Sequence, residues 1–105
     1  MAETRLQFHP AAREEALAAY DWYSERNVDA AASFQLELEN AGRSIECHPD
    51  TWVSYLHGTQ KFLLKHFPFS IIYRQQTDRI EIIAVAHQRR RPGYWADRLE
   101  SSDSS

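Results

Sequence analysis

Cysteine is nearly absent from the sequence, and long hydrophobic runs are missing. The single cysteine, Cys47, has no partner within the chain, which excludes an intramolecular disulfide framework. It falls inside a helical pattern, so the sequence predicts a small buried thiol there. No stretch reaches the roughly 18 apolar residues that span a membrane, and the first residues lack the basic and apolar segments of a secretory signal. We therefore expect a cytoplasmic protein that does not associate with membranes.

Glycine is also scarce, and motifs that bind phosphates or metals are missing. The chain has three glycines, and none belongs to a glycine-rich phosphate loop. Its five histidines are scattered, without the cysteine and histidine spacing of a zinc site. A nucleophile elbow is missing as well. The sequence therefore predicts neither a cofactor nor a metal ion.

Basic residues are scarce in the first half of the chain, and acidic residues are scarce in the second half. Residues 1–50 carry four basic side chains against ten acidic ones, whereas residues 51–98 carry eight basic side chains against three acidic ones. Ten of the twelve basic residues are arginine, whose planar guanidinium pairs with carboxylates and phosphates in two-point geometry. This distribution predicts a charge dipole whose positive half suits an acidic partner.

The first half of the chain has the pattern of one strand and two helices. Alternating apolar residues predict a short strand at Thr4–His9, and Pro10 then begins a helix that runs to about Glu25. Asn27 or Asp29 is suited to cap a second helix. Its apolar positions recur at helical spacing; they are Ala31, Phe34, Leu38, Ala41 and Ile45.

The second half is rich in β-branched and aromatic residues, and it predicts three strands at Lys61–His66, Phe69–Gln75 and Arg79–His87. A loop at 51–59 precedes them. The fold class is therefore α+β, in the order strand, helix, helix, strand, strand, strand. We expect an antiparallel sheet with the helix hairpin on one face and a more open second face. A short C-terminal helix follows, and residues 1–99 form a single domain with a disordered polar tail at 100–105.

Strand alternation predicts where the side chains of the last strand point. Ile80, Ile82, Ala84 and Ala86 share one face, and His87 lies on the other. If the first set packs on the helices, His87 points to the open face.

The stretch after this strand concentrates arginine and large aromatic residues, the types that most often dominate binding energy at protein interfaces. It predicts a recognition surface for a target, formed by Arg89, Arg90, Arg91, Tyr94 and Trp95. A structural alternative stays open: the basic side chains discourage unwanted strand pairing, and the two aromatic side chains cover the end of the sheet.

Four segments carry a resemblance to a known family. They are Phe8–Ala12, Ala19–Tyr23, Phe62–Phe69 and Ala86–Arg90. In this order they resemble the ParE/RelE superfamily of toxins from bacterial type II toxin–antitoxin systems, also known as plasmid stabilisation proteins. The resemblance spans nearly the whole chain. It implies a small toxin that is neutralised by a co-expressed antitoxin, whose C-terminal segment wraps around it.

The resemblance is compatible with two functional branches of the superfamily and with a third interpretation. RelE-like toxins cleave messenger RNA on the ribosome, and this activity would require His87, Arg89 and Tyr94 for proton transfer and charge stabilisation. ParE-like toxins are associated with poisoning DNA gyrase. RelE-like enzymes usually carry an arginine where this sequence has Ser70. A net charge of −3 also disfavours binding to ribosomal RNA. We therefore favour a ParE-like, non-enzymatic toxin; a non-toxic remnant that still binds an antitoxin is the third interpretation.

Overall fold

A short N-terminal strand, a helix hairpin and four further strands precede a C-terminal helix in the computed structural model, which describes residues 5–103. In chain order the elements are β1 (Leu6–Phe8), α1 (Pro10–Arg26), α2 (Val28–Cys47), β2 (Val53–Ser54), β3 (Gln60–Leu63), β4 (Phe69–Gln75), β5 (Ile80–His87) and α3 (Asp97–Asp103). The predicted order is confirmed, and the strand β2 is added inside the predicted loop 51–59.

The helix hairpin forms because a single residue, Asn27, separates α1 from α2. The side-chain oxygen of Asn27 accepts hydrogen bonds from the N–H groups of Asp29 and Ala30, at 2.9 and 3.2 Å, and so caps α2. Pro10 is the first residue of α1, where its missing N–H costs nothing. Both helices therefore begin where the sequence predicts.

The strands form one five-stranded sheet in the order β1-β5-β4-β3-β2. Three of its four pairings are antiparallel, as predicted. The pairing of β1 with β5 is parallel, which corrects the prediction of a wholly antiparallel sheet. The whole helix hairpin lies between β1 and the later strands, so no tight turn forces β1 to run antiparallel to its neighbour.

The main core lies between the helix hairpin and one face of the sheet. Its largest fully buried side chains come from α2, β4 and β5 and include Phe34, Ile45, Ile71, Tyr73, Ile80 and Ile82. Tyr73 donates a hydrogen bond from its hydroxyl to the carbonyl oxygen of Pro49 at 2.6 Å. Burial raises the pKa of Tyr73 to about 12, and the charge of Asp50 contributes to the same shift.

A β-bulge in β5 changes which way the end of this strand faces. The ladder between β4 and β5 shifts register, so that Ile83 has no partner residue on β4. Ile82, before the bulge, and Val85, after it, therefore both pack in the helix-side core. His87 lies on the same face as Val85, with its ring 5.0 Å from the ring of Phe69. The prediction that His87 points away from the helices is wrong, because it assumed unbroken alternation.

The C-terminal segment covers the second face of the sheet, which corrects the expectation of a more open face. Trp95 packs there against Ile72, Ile83 and Ala84. The segment continues into α3, whose backbone is helical through residue 103. The helix therefore extends into residues 100–103, which belong to the tail predicted to be disordered. Residues 104 and 105 lie outside the described residues, and the domain boundary at residue 99 stays a prediction.

Cys47 is exposed, so the prediction of a buried thiol is wrong. It is the last residue of α2 and lies beyond the buried stripe, which ends at Ile45. Within the described part of the chain, neither main helix has a stretch long and apolar enough to cross a membrane.

Candidate functional site

The three arginines of the sequence motif lie in a turn rather than on a strand. We call Arg89–Arg91 the arginine turn. The N–H of Arg89 donates to Nδ1 of His87, and the N–H of Arg90 donates to the carbonyl oxygen of His87, both at 3.0 Å. Gly93 lies in the next turn and takes a φ of 80°, which glycine adopts without strain. All three arginines are exposed, and within residues 5–103 none of them forms an ion pair with a carboxylate.

Tyr94 is half-buried behind the arginine turn. Its hydroxyl donates a hydrogen bond to Oε2 of Glu15 at 2.7 Å, and the guanidinium of Arg90 stacks on its ring at 3.8 Å. Burial raises the pKa of the Tyr94 hydroxyl, and the hydrogen bond to Glu15 raises it further. Tyr94 therefore stays protonated and holds Arg90 in place.

Trp95 is a core residue. Only 1% of it is exposed. Its ring lies 6.1 Å from that of Tyr55 and 5.9 Å from that of His57. Trp95 therefore offers almost no free surface to a target, and its role in target binding stays a prediction. The alternative interpretation, in which Trp95 covers the sheet, fits its position.

Glu15 joins α1 to β5 and to the C-terminal segment. Its carboxylate accepts four hydrogen bonds of 2.7 to 3.0 Å, from the N–H of Val85, the hydroxyl of Tyr94 and two nitrogens of Arg98. Arg98 also donates to the carbonyl oxygen of Ile83 at 3.0 Å. The parallel pairing of β5 with β1 ends at Ile82, so the next residues of β5 have no neighbouring strand on that edge. The side chains of Glu15 and Arg98 form hydrogen bonds with the backbone of β5 there. Glu15 raises the pKa of Arg98 through this hydrogen bonding.

Glu15 and Arg98 could not be recognised as a pair from the sequence. They are separated by 83 positions, and no local pattern connects them. One signal was present: Glu15 lies next to the apolar stripe of α1, which includes Ala12, Ala16 and Ala19. A carboxylate at the border of a buried stripe needs a partner when its element packs on a sheet.

Two further polar residues of the sheet, Arg74 and Ser70, are not free to act on a substrate: Arg74 forms an ion pair and Ser70 is buried. The guanidinium of Arg74 pairs with Glu81 at 3.1 Å and donates to the carbonyl oxygen of Leu99 at 3.3 Å. Ser70 is only 4% exposed. Among the described residues, no group of three or more His, Cys, Asp or Glu side chains is arranged to hold a metal ion.

A cavity of about 540 Å³ opens between α1 and the end of β5, and we call it the α1 groove. Its walls are mostly apolar, and Arg89 and Arg90 lie at its rim. The apolar lining residues include Ala18, Ala19, Trp22, Tyr23, Phe69 and Val85.

A larger cavity of about 740 Å³ lies between α2 and the edge strands β2 and β3, and we call it the α2 groove. Its exposed apolar side chains are Leu36, Val53 and Leu63. At one end, Glu37 accepts hydrogen bonds from His66, at 2.9 and 3.0 Å. Burial alone would raise the pKa of Glu37, but these hydrogen bonds and the one from the N–H of Lys65 lower it. Lys61 and Lys65 also line the groove.

Comparison with known proteins agrees with the fold and the motifs. A search of the curated proteins found no match to the chain. Among solved structures, a chain of the chromosomal ParDE TA system from P. aeruginosa has the same fold, with a TM-score of 0.70 and 17% identity; the match covers 80% of this chain and 95% of that chain. The sequence model of the family described as "ParE toxin of type II toxin-antitoxin system, parDE" matches residues 6–92. Because this match spans most of the chain, the protein belongs to the ParE toxin family.

Proposed function

We propose that the chain is a cytoplasmic, non-enzymatic toxin that arrests growth by binding a protein target, DNA gyrase by family analogy. The observation that carries the proposal is the arginine turn. Three exposed guanidiniums without ion-pair partners in the described residues are held on a short turn, which is fixed by two hydrogen bonds to His87 and by the stacking of Arg90 on Tyr94. The hydrogen bonds fix the backbone of the turn, and the stacking on Tyr94 restrains the guanidinium of Arg90, which reduces the entropy that Arg90 loses on binding. Arginine also supplies two-point contacts to carboxylates.

The same geometry argues against the RelE-like ribonuclease. Acid catalysis would require a proton donor that faces the substrate, but the hydroxyl of Tyr94 donates to Glu15 instead. Nδ1 of His87 already accepts a hydrogen bond from the backbone of Arg89. The position where RelE-like enzymes carry an arginine is occupied by Ser70, which is buried. These residues support binding rather than proton transfer.

The antitoxin is the second partner that we propose, and the α2 groove is the surface that suits it. An amphipathic segment needs an apolar groove, and Leu36, Val53 and Leu63 supply one. Lys65, which lines this groove, favours a segment with acidic residues. We expect the affinity for the antitoxin to be partly salt-sensitive, since exposed charges are screened by ions.

Growth arrest after induced expression tests the proposal. We expect arrest with the parent protein, rescue by the antitoxin encoded beside it, and arrest with His87→Gln, because glutamine also offers a side-chain acceptor to the turn. Arg89→Ala should lose most of the toxicity. Arg89→Lys should lose part of it, since lysine keeps the charge without the planar fork. Arg13→Ala, a change at another exposed arginine, is the matched control and should behave like the parent.

Two outcomes would contradict the proposal. If His87→Gln abolished growth arrest together with messenger RNA cleavage on ribosomes, while the variant stayed folded, the chain would be a ribonuclease. If the folded parent protein caused no arrest but still bound the antitoxin, it would be a non-toxic remnant of the fold.

A further inference from the structure

The shape of the α1 groove follows from the sizes of the side chains along one face of α1. This face carries Glu15, Ala18, Ala19, Trp22 and Tyr23 at helical spacing. The two alanines leave a gap over β5. The rings of Trp22 and Tyr23, with centroids 5.1 Å apart and nearly perpendicular planes, close one end of it. Trp22 stays 52% exposed although the guanidinium of Arg26 stacks on its ring at 3.7 Å, so part of the ring remains free.

The charge around the groove is positive. Glu15 is the only carboxylate among the described lining residues, and its charge is matched by Arg98 at 2.8 Å. Arg89 and Arg90 lie at the rim and have no carboxylate partner within residues 5–103. An apolar cavity with an uncompensated cationic rim is complementary to an apolar group flanked by anions.

We propose that the α1 groove binds an acidic, extended segment of the toxin's protein target through one bulky apolar side chain. That side chain enters the gap over Ala18 and packs on Trp22, while Arg89 and Arg90 pair with the carboxylates on either side of it. The inference rests on the proposed function, because it takes the arginine turn as part of the target-binding surface.

Three observations favour this occupant. The cavity of about 540 Å³ falls within the range of roughly 300–1,000 Å³ that holds a drug-sized group, and it therefore admits a large side chain. The groove is continuous with the arginine turn, since Arg89 and Arg90 belong to both. The local charge also favours an acidic segment, since Glu15, the only carboxylate among the described lining residues, is already paired with Arg98.

Selection from a display library of random linear peptides tests the inference. The purified protein is the bait, and the affinity of each selected peptide is measured by fluorescence polarisation. We expect the selected peptides to share a bulky apolar residue flanked by aspartate or glutamate. Ala18→Trp fills the groove from an exposed position and should weaken their binding roughly 30-fold or more, as expected for the loss of an interface anchor. Ala32→Trp, the same change at an exposed alanine of α2, should leave binding unchanged.

Gyrase inhibition and antitoxin binding, measured with Arg89→Ala and Ala18→Trp, separate this inference from the proposed function. If Arg89→Ala abolishes gyrase inhibition and Ala18→Trp does not, the proposed function holds and the groove inference fails. If the parent protein does not inhibit gyrase but selects acidic peptides that Ala18→Trp excludes, the groove binds its ligand and gyrase is the wrong target. The inference is also overturned if selected peptides lack acidic residues, if single-stranded nucleic acid displaces them, or if Ala18→Trp removes antitoxin binding alone.

Discussion

Replacing Glu15 with alanine should destabilise the protein by about 3 kcal/mol. The change leaves the guanidinium of Arg98, whose side chain is 17% exposed, without its carboxylate. It also removes the acceptor for the N–H of Val85 and for the hydroxyl of Tyr94. Breaking a buried ion pair typically costs about 3–5 kcal/mol, and we expect the lower end because water can reach both partners.

Urea denaturation, followed by far-ultraviolet circular dichroism, measures this loss in the free energy of unfolding. Glu14→Ala is the matched control, because Glu14 is the exposed neighbour of Glu15 on the same helix; it should change the free energy by less than about 0.5 kcal/mol. Combining Glu15→Ala with Arg98→Ala should cost much less than the sum of the two single changes. Equal small effects for Glu14→Ala and Glu15→Ala would refute the reasoning, since the pair would then be a screened surface contact.

Four other residues give direct tests of the structure. Trp95→Ala should cost about 3–5 kcal/mol in urea denaturation because it empties the core under the C-terminal segment, whereas a surface role predicts almost no loss. Because the pKa of Glu37 is lowered in the folded protein, its carboxylate contributes to the free energy of unfolding. This contribution is fully present above the ordinary glutamate pKa of about 4.3, and it is lost as the pH falls through the lower pKa of the folded state. Glu37→Gln should therefore reduce the loss of stability measured between about pH 5 and pH 3. Tyr73→Phe should remove the tyrosinate absorbance that develops near a pKa of about 12, and an unchanged titration would contradict the burial of Tyr73. Cys47 should react with a thiol reagent in the native protein as quickly as in the denatured protein; strong protection would restore the prediction of a buried thiol.

The helices and strands could be predicted from the sequence because local signals specify them. Pro10 and Asn27 begin the two helices, and β-branched runs form the strands. The parallel pairing of β1 could not be predicted, since its partner Ile80 lies more than 70 positions away from Leu6. Pairing over such a distance depends on how the hairpin packs on the sheet and not on any turn.

The site was only partly predictable. The sequence points to Arg89–Arg91, because its composition is unusual over a few consecutive residues, but it does not show that these residues form a turn. It does not reveal the bulge at Ile83, because no glycine or proline marks that position. The predicted direction of the His87 side chain is wrong for that reason. Strand alternation also says nothing about the long-range contacts that bury Trp95 or join Glu15 to Arg98.

Supercoiling of relaxed plasmid by purified gyrase is the decisive test of the proposed binding of gyrase by the arginine turn. The measured quantity is the concentration of toxin that halves supercoiling activity. We predict inhibition by the parent protein and by Arg13→Ala at similar concentrations, and at least about tenfold weaker inhibition by Arg89→Ala with unchanged thermal unfolding. Equal inhibition by the parent and Arg89→Ala would show that gyrase does not bind through the arginine turn, and no inhibition by the folded parent protein would show that gyrase is not the target.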